Sequence, residues 1–191
     1  LDPVQQELAS IGAQLQLAHG DREVLVRLLP QADAVLNTYL PLDASLIGLM
    51  QRCRIIARMG IGVDNVDLEA ATARGIWVTN VPDYCVEEVA DHTWALILAL
   101  VRKVAWLNGA THQGAWSFQE VRPIPRLQGL VLGLVGFGRI GRRVADRGRA
   151  FGMRVVAYDP YLQPQRIAEG GAEPVDFDRL LQVSDVVSVH S

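Results

Sequence analysis

The sequence predicts an α/β protein whose parallel sheets are covered by flanking helices. Short apolar runs alternate with amphipathic segments through about the first eighty residues and again from Leu130 onward, which is the pattern of consecutive βα units. A glycine-rich turn, GFGRIG, follows one of the apolar runs and opens an amphipathic segment. Half of the 191 residues are hydrophobic, which is enough to bury a core.

The first half of the chain carries this alternation with turn chemistry that agrees with it. Asp43 and Asp67 stand where helix N-caps belong, and Gly75 stands where a helix would end. The alternating segments are, in chain order, VQQELASI, AQLQLA, REVLVRLL, DAVLNT, LDASLIGLM, RIIARMG, DLEAATARG and IWVTN.

A long segment after Pro82 has the strongest helix pattern in the chain. It runs from residue 83 to about residue 109, with acidic residues in its first turns and basic residues near its end, as the helix dipole favours. Its middle, WALILALV, is apolar on every side, which predicts burial between layers, at a domain junction or in a subunit interface. The segment that follows is broken by Pro123 and Pro125 and is expected to form a connecting loop.

The second half resumes the alternation around the glycine-rich turn at residues 136–141. The turn lies between the apolar strand LVLGLV and an amphipathic helix, and the next strand ends at Asp159, which lies 18 residues after Gly141. An acidic residue at about this distance binds the adenosine ribose in dinucleotide-binding folds. The context therefore predicts a Rossmann-type site for NAD. The segments of this half are LVLGLVG, RIGRRVADRGRAFG, MRVVAYD, FDRLLQVS and DVVSVH.

Each position of the turn has a physical role in such a site. Gly136 permits the tight turn, Gly138 lets the backbone approach the pyrophosphate, and Gly141 lets the helix pack closely. The backbone N–H groups of Arg139 and Ile140 are expected to face the phosphates with the partial positive charge of a helix N-terminus. The Arg139 side chain either reaches the pyrophosphate or remains a solvated surface arginine.

Composition and charge exclude several classes of partner. The formal net charge is −3, with no basic excess for phosphate backbones or anionic membranes, so neither nucleic acid nor a membrane is expected as a partner. The two cysteines, Cys53 and Cys85, lack metal-type spacing, which predicts reduced thiols in a cytoplasmic protein and no metal site.

Four stretches together resemble the D-isomer-specific 2-hydroxyacid dehydrogenase family, and NVPDYCVEEVAD and YDPYL are most similar to the branch that contains the C-terminal-binding proteins. The resemblance implies an incomplete flavodoxin-like substrate domain at 1–82, whose first strand is expected to be missing. It implies the N-terminal half of a Rossmann domain at 83–191, with 83–109 as the crossover helix, and a homodimer formed through that domain. The stretches are ARMGIGVDNVDLEAATARGIWVTNVP, VEEVADHTWALILAL, LVLGLVGFGRIGRRVADRGRAFGMRVVAYDP and DVVSVHS.

The resemblance also implies roles for residues outside the glycine turn. The backbone at Gly60, Ile61 and Gly62 is expected to face the substrate carboxylate and the nicotinamide, although family members often place a hydroxyl residue where Ile61 stands. His190 is expected to contact the cofactor. Thr93 matches a position near the cofactor phosphates, and its alternative is a hydrogen bond back within its own helix.

The function implied is hydride transfer between NAD and a small D-2-hydroxy or 2-keto acid. Such an enzyme needs a cation for the substrate and a proton donor, which the family supplies with an arginine, a glutamate and a histidine. These catalytic residues are expected beyond Ser191, so the chain resembles an N-terminal fragment that is inactive by itself. The alternative is an NAD-sensing dimeric binding protein of the transcriptional corepressor type.

Overall fold

The computed structural model describes residues 2–190, which form two compact units. The first unit runs to Tyr84 and the second begins at Cys85. No helix within the described residues is long and apolar enough to cross a membrane.

The first unit contains a three-stranded parallel sheet in the order β1-β2-β3. Asp43 and Asp67 cap α3 and α4 by accepting the backbone N–H groups of Leu46 and Ala70, each at 2.9 Å, so both predicted caps are confirmed. Gly75 ends the turn after α4 at φ +68°. The elements are α1 (Asp2–Ser10), α2 (Arg22–Leu28), β1 (Ala34–Asn37), α3 (Ala44–Leu49), β2 (Ile55–Arg58), α4 (Leu68–Ala73) and β3 (Trp77–Thr79).

One face of this sheet holds the core of the first unit. Val35, Ile56 and Val78 lie side by side in the register and pack with the buried residues of the helices. The segment AQLQLA at 13–18 forms no regular element. A strand needs a neighbour for its ladder hydrogen bonds, and in the expected flavodoxin-type order that neighbour would be the first strand. The expected absence of that first strand stays a prediction.

The second unit contains a four-stranded parallel sheet in the order β6-β5-β4-β7. In chain order this is the 3-2-1-4 arrangement of a Rossmann half, with β4 as the central first strand. The elements are α5 (Val86–Val101), α6 (Val104–His112), β4 (Val131–Val135), α7 (Arg139–Ala150), β5 (Arg154–Tyr158), α8 (Pro164–Glu169), β6 (Glu173–Pro174), α9 (Phe177–Val183) and β7 (Val186–Val189).

The single helix expected at 83–109 is two helices. The first, α5, ends at Val101, and Lys103 adopts a left-handed conformation at φ +58° before α6 begins. The Arg102 guanidinium donates to the carbonyl of Pro125 at 2.9 Å and so ties this break to the following loop. The prediction of one continuous helix was wrong because no glycine or proline marks the break and a contact distant in sequence accompanies it.

Helix α5 packs its buried face on α7 and on the sheet. The Trp94 indole N–H donates to the Val144 carbonyl at 3.0 Å, and its ring stacks on Phe151 with centroids 4.8 Å apart. On the opposite face Leu96 and Leu100 are 59% and 65% exposed. Within residues 2–190, one face of this helix is therefore buried, while Leu96 and Leu100 on the other face are left largely uncovered.

Candidate functional site

The glycine turn joins β4 to α7 at the carboxyl edge of the second sheet. Gly136 has φ +91°, a conformation that favours glycine, and its N–H donates to the Tyr158 carbonyl at 2.8 Å. A Cβ on Gly141 would lie 2.5 Å from the Gly136 carbonyl oxygen, closer than real Cβ atoms approach. Close packing of the helix on the turn thus requires glycine at 141.

Gly138, unlike Gly141, is not constrained by packing within the described residues. It is the N-cap residue of α7 with an ordinary extended conformation, and a Cβ there would meet no atom of residues 2–190 within 4 Å. Packing within the described chain does not require glycine at this position. The helix beyond it starts with Arg139, which is exposed, and Ile140, which packs against the core. Gly138 offers no side chain to cap α7 within the described residues, and the helix dipole places a partial positive charge at this end of α7.

Asp159 holds the glycine turn with one carboxylate oxygen and its own following loop with the other. Oδ2 accepts the Phe137 N–H at 2.8 Å and Oδ1 accepts the Tyr161 N–H at 2.9 Å. The carboxylate also lines a cleft of about 360 Å³ beside the turn. The cleft is bordered by Tyr158, Asp159, Leu162, Pro164, Ile167, Pro174, Val175 and Asp176. A largely apolar cleft with a carboxylate held at its edge suits a flat ring attached to a sugar diol.

His190 lies on the other side of the same turn. Its backbone N–H donates to the Val135 carbonyl at 2.7 Å, and its Cβ lies 4.0 Å from where a Cβ on Gly141 would stand. The imidazole Nε2 lies 3.0 Å from the Ser188 hydroxyl oxygen. Burial lowers the pKa of His190 below its ordinary value, which favours the neutral ring at neutral pH.

Thr93 forms the hydrogen bond within its own helix that was the alternative to a cofactor contact. Its hydroxyl donates to the Val89 carbonyl, one turn earlier in α5, at 2.8 Å. The hydroxyl proton is therefore used inside the helix, and only its oxygen lone pairs remain for another contact.

In the first unit, the turn at residues 60–62 follows β2 at the carboxyl edge of its sheet. Two contacts hold it: the Val81 N–H donates to the Gly60 carbonyl at 3.0 Å, and the Asn80 side-chain amide donates to the Ile61 carbonyl at 2.7 Å. A Cβ on Gly62 would lie 3.0 Å from a carboxylate oxygen of Asp64.

Sequence reasoning missed Arg58 at this turn. Its guanidinium occupies the space where a Cβ on Gly60 would stand, so glycine there makes room for the arginine. Its Nε is buried and has no hydrogen-bond partner within residues 2–190. A cation at the last position of a strand, directly before a glycine turn, was the signal that could have identified it.

Two further predictions concern metal ligands and the catalytic residues. Within the described residues, no group of histidine, cysteine, aspartate or glutamate side chains could hold a metal ion. The catalytic arginine, glutamate and histidine were expected beyond Ser191 and so lie outside the described residues.

Comparison with known proteins gives consistent matches. The NAD-binding domain model of the D-isomer specific 2-hydroxyacid dehydrogenases matches residues 94–191. D-3-phosphoglycerate dehydrogenase of Mycobacterium leprae is 39% identical over 190 residues, covering 97% of this chain and 36% of that protein. Glyoxylate reductase of Thermococcus litoralis is 38% identical, covering 88% of this chain and 53% of that protein.

Solved structures match the fold across both units. D-Lactate dehydrogenase from Aquifex aeolicus, complexed with NAD and lactic acid, has a TM-score of 0.88 and 32% identity, covering 99% of this chain and 57% of that one. The chain thus spans between about a third and somewhat over half the length of these relatives. Its second unit carries the family's NAD-binding domain, and the chain belongs to the D-isomer-specific 2-hydroxyacid dehydrogenase family.

Proposed function

We propose that the whole protein is an oxidoreductase that transfers a hydride between NAD and a small D-2-hydroxy or 2-keto acid. The observation that carries this proposal is the glycine turn with Asp159 bound to it at the carboxyl edge of a 3-2-1-4 sheet. Bound NAD supplies the hydride carrier, and the residues of this chain bind and orient it.

The second unit supplies the proposed cofactor contacts. The pyrophosphate faces the N-terminus of α7, where the open approach at Gly138 supports contact with backbone N–H groups. The Asp159 carboxylate accepts hydrogen bonds from the adenosine ribose, which favours NAD over NADP, and the adjoining cleft receives the adenine. The proposed cofactor residues are Gly136, Gly138, Arg139, Ile140, Gly141, Asp159 and His190, with Ile61 and Thr93 as further contacts.

The first unit supplies the proposed substrate contacts. The backbone of Gly60, Ile61 and Gly62 binds the substrate carboxylate, and the Arg58 guanidinium, which lies against Gly60, adds a positive charge beside it. A guanidinium beside this turn favours an anionic ligand. This supports an acid, rather than an alcohol, as the substrate.

The catalytic function is preferred to a corepressor function. The relatives described above are named as dehydrogenases and a reductase. The test is to incubate the whole protein with NADH and with glyoxylate, pyruvate or a phosphorylated 2-keto acid, and to follow nicotinamide absorbance. Oxidation of NADH with at least one of them is expected. If the whole protein binds NADH but none of a broad panel of 2-keto acids oxidises the bound NADH, the enzymatic proposal is contradicted.

The proposal includes a homodimer formed through the second unit. The exposed leucines of α5, together with Val104 and Trp106 of α6, form an apolar surface of the kind that subunits cover. Sedimentation of the whole protein at micromolar concentration is expected to give a dimer, and Leu100→Lys is expected to weaken it. A monomer would exclude this interface.

Cys53 and Cys85 are both free thiols, which supports a reducing compartment, the cytoplasm.

A further inference from the structure

The hydrogen bond between Ser188 and His190 is a side-chain contact that the proposed cofactor site does not yet explain. The two residues stand two apart at the end of β7, so both side chains are on the same face of the strand. Ser188 lies opposite Leu134 in the register, and Leu134 belongs to the core formed with Trp94 and Val144. The pair is therefore on the side of the sheet covered by α5 and α7, next to the glycine turn.

The direction of this hydrogen bond follows from the inventory of donors. The Ser188 hydroxyl has one proton, and the only acceptor within residues 2–190 that the structure gives it is Nε2 of His190. If Nε2 carried the proton instead, the hydroxyl of this partly buried serine would have no acceptor within residues 2–190 and would depend on solvent. A neutral imidazole has one N–H, and a partner at one ring nitrogen decides which nitrogen carries it.

We propose that Ser188 is a positioning residue for His190: its hydroxyl donates to Nε2 and so places the imidazole proton on Nδ1, which becomes the donor offered to the anionic part of the dinucleotide. Nδ1 has no hydrogen-bond partner within residues 2–190. The proposal rests on the proposed cofactor contact of His190. It also explains why His190 would offer a defined donor. A histidine that exchanges freely between tautomers carries the proton on Nδ1 only part of the time.

The chain offers a matched control at Ser184. This serine is also half-buried and belongs to the same unit, but its hydroxyl donates to the Leu180 carbonyl at 2.6 Å on the side of the sheet that faces α9. Ser184→Ala removes the same atom as Ser188→Ala without touching the imidazole. Ser188→Thr keeps the hydroxyl and serves as the conservative variant.

The first measurement is the tautomer of His190 in the cofactor-free chain, read from long-range ¹H–¹⁵N correlations of the ring nitrogens at a pH where the ring is neutral. The wild type is expected in the Nδ1–H form, as are Ser188→Thr and Ser184→Ala. Ser188→Ala is expected to show averaged ring nitrogens from a mixture of tautomers. A wild-type ring in the Nε2–H form, or an unchanged tautomer in Ser188→Ala, overturns the proposal, and the first of these readouts needs no variant to fold.

The second measurement is NAD affinity by titration calorimetry. Loss of one oriented hydrogen bond predicts NAD binding weaker by on the order of threefold to tenfold in Ser188→Ala. The same substitution is expected to have no further effect in a His190→Ala background, because the serine acts through the histidine. Equal losses in both backgrounds would assign Ser188 a separate role. If the whole wild-type protein shows the expected tautomer but binds no NAD, the proposed function is contradicted while the serine–histidine pair is kept.

Discussion

Gly138 and Gly141 belong to one turn, yet the structure gives them different constraints. Gly141 is required by the carbonyl oxygen of Gly136, whereas Gly138 has open space where a side chain would begin. Gly141→Ser is expected to lower the free energy of unfolding by on the order of 1–3 kcal/mol because it overpacks the turn. Gly138→Ser is expected to maintain or raise it, because serine is a good N-cap residue.

Gly138→Ser, which is not expected to destabilise the fold, is expected to impair NAD binding. Gly138→Ser is expected to weaken NAD binding by on the order of tenfold or more, since its side chain enters the path of the pyrophosphate. Urea unfolding and NAD titration of both variants are the measurements. A Gly138→Ser variant that is stable and binds NAD normally would show that the pyrophosphate does not approach this position.

Asp159 supports the turn and, in the proposed function, also binds the cofactor ribose, so its replacement is expected to have two consequences. Asp159→Ser removes the charge that opposes a ribose 2′-phosphate, and the ratio of NAD to NADP affinity is expected to fall by on the order of tenfold or more. It also removes the acceptor of the Phe137 N–H, so a lower free energy of unfolding is expected without cofactor. Titration with both dinucleotides and thermal unfolding test these expectations.

The matched control for Asp159 is the second carboxylate of the same cleft. Asp176 caps α9 by accepting the Arg179 N–H at 2.7 Å, and serine keeps that cap. Asp176→Ser is expected to leave the affinity ratio much closer to the wild type. An equal change in both variants would show that general negative charge, rather than the oriented Asp159, discriminates the cofactors.

The lowered pKa of His190 predicts a pH dependence of stability. Because burial disfavours the charged ring, the unfolded chain binds a proton more readily than the folded one. Stability from this group is complete above the ordinary histidine pKa of about 6.5 and is lost as the pH falls below it toward the lowered folded value. The difference in unfolding free energy between pH about 7.5 and pH about 5.5 is expected to shrink in His190→Gln.

Exposed His92 of α5 provides the comparison for that experiment. His92→Gln is expected to keep the pH dependence of the wild type in urea titrations. If His190→Gln also keeps it, the lost stability comes from other groups.

At the scale of elements, the break between α5 and α6 is the largest departure from the sequence pattern. Lys103 stands at φ +58°, which costs a residue with a Cβ about 1 kcal/mol or more. Lys103→Gly is expected to raise the free energy of unfolding by on the order of 0.5–1 kcal/mol. Lys103→Ala removes the charge and keeps the Cβ, so no such gain is expected. Destabilisation by glycine, measured by urea unfolding, would indicate a continuous helix.

The elements that the sequence predicted well are those with a local pattern. Strand β4, the glycine turn, α7 and β5 follow directly from alternation and turn residues, and the caps Asp43 and Asp67 follow from their chemistry. The two-residue strand β6 and the helix α8 were not predicted. A strand of two residues has no alternation to detect, and it exists because β5 offers it a ladder.

At the scale of the whole molecule, we predict that the 191-residue chain alone does not turn over 2-keto acids. A general acid contributes about 10²- to 10⁴-fold and an electrostatic stabiliser about 10²- to 10³-fold. The family's catalytic residues for both tasks were expected beyond Ser191, so neither contribution is expected. Purified chain with NADH and a panel of 2-keto acids is expected to show only background loss of nicotinamide absorbance. Turnover that disappears in His190→Ala would instead make this histidine the acid.

The sequence by itself determined the fold class, the position of the glycine turn between β4 and α7 and the family, because these depend on short-range periodicity and on residues close together in the chain. The tertiary structure decided which polar groups meet at the turns of the two units. Arg58 over Gly60, the Phe137 N–H on Asp159 and the Ser188 hydroxyl on His190 are contacts of specific geometry. Which of several possible partners a polar group meets depends on how the strands and loops pack, and hydrogen bonds vary steeply with distance and angle, so the sequence pattern does not encode them.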